Sequence, residues 1–112
     1  MQRLNTLNML LEMTKEAERL ASEGVQTERI NTLIGNIRRK AHEEQEKLGR
    51  DQRQSESFIL TRYQLCMIGI REECNFGRSS IPSVSALGGR LGRIREEIDR
   101  TIKEMKVSSR IM

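Results

Sequence analysis

The sequence predicts an all-α protein of four amphipathic helices, packed as an antiparallel helical bundle or a coiled-coil hairpin and completed by oligomerisation. Apolar residues recur at spacings of three and four along most of the chain. The only proline, Pro82, leaves room for long uninterrupted helices. Only three of the 112 residues are aromatic, so the core must be a thin seam of Leu, Ile and Met, as between paired helices.

The first two predicted helices, A and B, carry regular apolar stripes. Helix A spans about residues 2–22, and Gly24, which can adopt the left-handed conformation that ends a helix, follows it. Helix B spans about residues 27–48, and its seam contains one charged member, Glu44. Gly35 either lets another helix approach closely or weakens helix B. The stripe residues are Leu4, Leu7, Leu10, Leu11, Met13, Ala17, Leu20 and Ala21 in helix A and Ile30, Leu33, Ile34, Ile37, Ala41 and Leu48 in helix B.

Helix C is predicted over about residues 51–75, after a break at Gly49, and holds the densest apolar run of the chain. Its apolar residues fall on two faces. Phe58 and Leu65 lie two turns apart on the narrower face, and a closed four-helix monomer would leave them partly in water. We therefore predict that they contact a partner helix, the alternative being that helix C lies at the bundle centre, covered all round. The broader, core-facing set is Ile59, Leu60, Tyr63, Cys66, Met67, Ile70 and Cys74.

A segment rich in serine and glycine, about residues 76–89, is predicted to link helix C to helix D. Because Gly88, Gly89 and Gly92 lower helix propensity, we predict that stable helix D spans about residues 90–107. Its apolar residues recur every three or four positions and form a second candidate seam for helix–helix interaction. The interaction residues predicted there are Leu91, Ile94, Ile98 and Ile102.

No constellation of residues predicts catalysis, a metal site or a cofactor site. His42 is the only histidine, and no nucleophile lies within helical reach of it. Cys66 and Cys74 lack CxxC spacing, and eight residues apart on one helix they are too distant for a mutual disulfide. No glycine loop of the phosphate-binding type is present. We therefore expect a protein that is not an enzyme and carries no cofactor.

Two features of the sequence predict the compartment. Free thiols and the lack of a signal peptide indicate a reducing environment, the cytoplasm or the nucleus. No apolar run approaches the ~18 residues that a membrane helix requires, so no membrane contact is expected.

The net charge of +4 lies in the last third of the chain, where residues 76–112 carry eight basic and four acidic residues. A stretch of four arginines without an acidic residue begins this region and could contact phosphates. Binding of RNA or DNA through this region is therefore the alternative function. The candidate nucleic-acid contacts are Arg78, Arg90, Arg93 and Arg95.

A different explanation of these arginines is local pairing. Arg93 and Arg95 are each followed four residues later by an acid, Glu97 and Asp99 respectively, at helical pairing distance. No aromatic residue is interleaved to stack on bases. Nucleic-acid binding is accordingly the less favoured prediction.

The linker contains a short motif, Ser79-Ser80-Ile81-Pro82, preceded by a basic residue, Arg78. It resembles the Ser-x-Ile-Pro motif by which disordered segments bind end-binding proteins at growing microtubule tips. The resemblance covers four residues and implies a microtubule-tip protein as partner. The same residues also fit a basic-directed phosphorylation site.

These observations together predict a non-enzymatic α-helical protein–protein interaction module, either an oligomerising scaffold or an adaptor subunit of a larger coiled-coil complex. Its expected partner is a second copy of the chain or another helical protein. Nucleic acid is a less favoured partner, and a microtubule-tip protein is the least favoured of the three.

Overall fold

The computed structural model describes residues 2–24, 28–50, 58–74 and 84–111. These ranges form four α-helices and contain no β-strand, so the prediction of an all-helical fold with four helices is confirmed. The helices are α1 (Gln2–Ser22), α2 (Glu28–Arg50), α3 (Phe58–Glu73) and α4 (Val84–Ile111).

The four helices surround one core. Each helix packs against its neighbours in the sequence, and α1 also packs against α4, whereas the two diagonal pairs touch little. Within the described ranges, no helix is both long enough and apolar enough to cross a bilayer.

α1 has the bounds predicted for helix A. It ends in the expected way: Gly24 has a φ of 76°, and its N–H donates to the Ala21 carbonyl at 3.0 Å. α2 extends to Arg50, two residues past the predicted end of helix B, so Gly49 lies inside the helix. The predicted break between helices B and C falls on residues outside the described part of the chain. Gly35 is exposed, and a Cβ there would have no neighbour within 4 Å, so it does not serve a close helix crossing.

α3 is shorter than the predicted helix C. It begins at Phe58 and ends at Glu73, and Cys74 follows as a turn whose N–H donates to the Ile70 carbonyl at 3.0 Å. The remaining predicted residues, 51–57 and 75, lie outside the described part of the chain. The continuity of α2 with α3 depends on residues 51–57 and so also lies outside the described part of the chain.

α4 begins at Val84, so the prediction that glycines delay this helix until Arg90 is wrong. Gly88 and Gly89 each cost about 1 kcal/mol relative to alanine in a helix. Leu87 and Leu91, one turn apart around them, are each 2% exposed, and packing of such side chains supplies most of the stability of helices in proteins. α4 also continues past the predicted end, to Ile111.

The core consists mostly of the stripes that the periodicity predicted, and the side chains of Leu48, Ile59 and Leu60, also predicted there, lie outside the described part of the structure. Apolar members from all four helices form one cluster, and Glu44 is almost as buried, at 8% exposure. Leu4, Met13, Leu20 and Leu33 are only partly buried at the margin of this cluster. The buried apolar residues are Leu7, Leu10, Leu11, Ala17, Ala21, Ile30, Ile34, Ile37, Ala41, Tyr63, Cys66, Met67, Ile70, Cys74, Leu87, Leu91, Ile94, Ile98, Ile102 and Met105.

Candidate functional site

The outer face of α3 is the surface of this helix that points away from the core. Leu65 lies at its centre and is 54% exposed, while Ile68, on the same side, is half-buried. Thr61 and Glu72 are the exposed polar residues of this face. Phe58 begins α3 two turns before Leu65, and its side chain lies outside the described part of the structure.

Leu65 is unusual for its exposure. Among the described residues, only Met9 and Val107 are other large apolar side chains that remain exposed, and they lie on α1 and α4. This exposure agrees with the sequence prediction that a four-helix monomer would leave Leu65 partly in water.

The other predicted interaction seam lies elsewhere. Leu91, Ile94, Ile98 and Ile102 are 0–6% exposed and belong to the core of the same chain. These side chains pack against the neighbouring helices of the same chain, so they do not form a surface for a partner. The periodicity correctly predicted a buried face of α4, but the helices that bury this face belong to the same chain.

An open groove of about 330 Å³ separates the outer surfaces of α3 and α4. Gly69, one turn after Leu65, lines it on the α3 side, and a Cβ at that position would meet only the Glu97 Cγ, at 4.0 Å. The groove is predominantly acidic. Its charged residues are Glu72, Glu73, Glu96, Glu97, Arg93 and Arg100.

Arg62 ties α3 to α4 beside this groove. Its guanidinium donates to Glu97 Oε1 at 2.8 Å and also to Glu104, and its side chain is 13% exposed. Burial lowers the pKa of Arg62, but the hydrogen bonds and the negative charges of the two carboxylates raise it on balance. The guanidinium therefore stays charged and bridges two turns of α4.

Arg90 and Arg93, both candidate phosphate contacts, bind the end of α3. Arg90 Nη1 donates to the Glu73 carbonyl at 3.3 Å. Arg93 donates to both carboxylate oxygens of Glu73, at 3.2 and 3.3 Å. The expected pairing of Arg93 with Glu97 is therefore wrong, because the acid across the helix interface is better placed.

Arg95 binds α1. Its Nε donates to Glu18 Oε1 at 2.7 Å, and this hydrogen bond with its charge raises the pKa of Arg95. Gly92 makes room for the contact, since a Cβ there would lie 3.1 Å from Glu18 Oε2. Here too the expected local partner, Asp99, is not the one that Arg95 contacts.

The linker motif and its flank lie outside the described residues. This holds for Arg78, the fourth candidate phosphate contact, and for Ser79, Ser80, Ile81 and Pro82.

A buried polar group, Tyr63, lies near the start of α3. Its side chain is fully buried, and its hydroxyl has no hydrogen-bond partner of acceptable geometry within the described ranges. Glu44 and Thr6 are nevertheless close enough to influence it, and burial followed by the charge of Glu44 raises the pKa of Tyr63. Glu44 itself contacts Lys40 and Lys47 at 3.4 and 3.5 Å. We interpret Tyr63 as a residue that packs the helices of the bundle together.

The two thiols are buried, whereas His42 is exposed. Cys66 and Cys74 are free and buried, and burial raises the pKa of each to about 11, which makes them poor nucleophiles. His42 is exposed and its Nε2 lies 3.1 Å from Glu46 Oε1. The described residues contain no group of three or more metal-ligating side chains.

Sequence reasoning missed the polar residues of the outer surface. Glu96, Arg100 and Lys103 follow one another at spacings of four and three, a signal that would have marked one exposed face of α4. Arg62 gave no comparable signal, because its partners lie on another helix.

No protein-family model, curated protein or solved structure matches the chain. The side chains on the outer faces of α3 and α4 are therefore the basis for a functional assignment.

Proposed function

We propose that the protein is a non-enzymatic helical interaction module, an oligomerising scaffold or an adaptor subunit of a larger assembly. The observation that carries this proposal is Leu65, 54% exposed on a helix whose opposite face is completely buried. Full burial of a side chain of this size contributes about 1.5–3 kcal/mol, and about half of that is available at Leu65 because roughly half of the side chain is still exposed. The adjoining groove with Gly69 offers space for a partner to approach.

We further propose that the four helices form a single antiparallel domain. Two contacts between α3 and α4 support this direction. Arg62, near the start of α3, binds Glu104 near the end of α4. Glu73, the last residue of α3, binds Arg93 in the first half of α4. Helices that run in opposite directions pair their ends in this way.

The non-enzymatic character of the protein is part of the proposal. It is supported by thiols that are buried and protonated at neutral pH and by an exposed histidine that contacts Glu46 one turn further along α2. Two free cysteines also favour a reducing compartment, the cytoplasm or the nucleus.

Nucleic-acid binding, the alternative function, receives less support. Arg90, Arg93 and Arg95 each donate to an oxygen of Glu73 or Glu18 within the chain. A phosphate would have to displace those oxygens, and at Arg93 it would have to do so in an acidic groove.

The test of the proposed function is the variant Leu65→Ser, analysed by light scattering after size-exclusion chromatography together with circular dichroism. We expect the unmodified chain to assemble at micromolar concentration, and the variant to lose assembly while keeping its helicity. Met9→Ser, at an exposed apolar site on α1, is the matched control and should leave assembly unchanged. A variant that unfolds would place Leu65 in the core and contradict the proposal.

A further inference from the structure

We draw no further inference here: the strongest candidate, the outer face of α3 and α4 around Leu65 and its adjoining groove, belongs to the surface already described, and nothing in the structure shows what covers it.

Discussion

The two faces of α3 consist of similar apolar side chains but have opposite surroundings. Tyr63, Met67 and Ile70 point inward and are completely buried, whereas Leu65 points outward and is more than half exposed. The difference does not come from residue type. It comes from the neighbours, since α2 and α4 flank the inner face and no described helix covers the outer one. An apolar stripe thus stabilises the bundle only where another helix lies over it.

The largest difference in the free energy of unfolding is expected between alanine substitutions on the two faces of α3. Ile70→Ala should lower the free energy of unfolding by about 2–5 kcal/mol, because it leaves a cavity in the core. Leu65→Ala should change it by no more than ~0.5 kcal/mol in the monomer, because that side chain is already hydrated. Urea denaturation followed by circular dichroism, at concentrations below any self-association, measures both values. Equal losses would show that α3 is covered on both sides.

Thiol labelling contrasts the same two faces. Burial raises the pKa of Cys66 and Cys74 from 9.0 to about 11, so at pH 8 their thiolate fraction is about 100-fold below that of an exposed cysteine. In Leu65→Cys we expect one thiol to react rapidly with a disulfide reagent and two to react slowly. Mass spectrometry of quenched samples counts the labels. Three equally fast thiols would contradict the burial of the inner face.

The same pKa shifts give a pH dependence with a definite sign. In the unfolded chain the thiols ionise near pH 9.0, whereas in the folded chain they stay protonated to about pH 11. Their contribution to stability is therefore complete below pH 9 and is lost as the pH rises through 11. The double variant Cys66→Ala, Cys74→Ala should lose less stability over this interval, as followed by thermal melts. An unchanged slope would assign the loss to other groups.

A smaller effect is expected from the arginines that border the two faces. Arg62→Ala leaves Glu97 and Glu104 without their shared cation in a partly buried setting and should cost about 1–3 kcal/mol. Arg93→Ala removes a pair whose arginine side chain is 60% exposed, and it should cost less than ~1 kcal/mol. A double-mutant cycle with Glu104→Ala isolates the coupling. Equal effects of the two arginines would mean that burial does not strengthen the Arg62 contacts.

Periodicity was sufficient to predict the helices and most of the core. The stripes of α1 and α2 and the inward arc of α3 follow from spacings of three and four, because only one side of such a helix can face the interior. Leu65 could be identified for the same reason, since it falls outside that arc. Periodicity shows that a face is buried but not what buries it. The stripe of α4 was therefore predicted to contact a partner.

The features that sequence reasoning missed depend on contacts between distant parts of the chain. Local propensity placed the start of α4 near Arg90, but burial of Leu87 outweighs the cost of the glycines. Charge pairing was assigned within one helix, whereas Arg95 reaches Glu18, 77 positions away. Neither outcome can be read from spacing, because each requires knowing which helices are neighbours.

Because α1 packs against α4, the core of the bundle cannot be completed until α4 has been synthesised. Synthesis of the ~90 residues between the ends of these two helices takes on the order of 5–20 s at cellular translation rates. During that time the side of α1 that carries Glu18 has no cover from its own chain. α1 can therefore pack against α2 early, but its packing is complete only when α4 has been made.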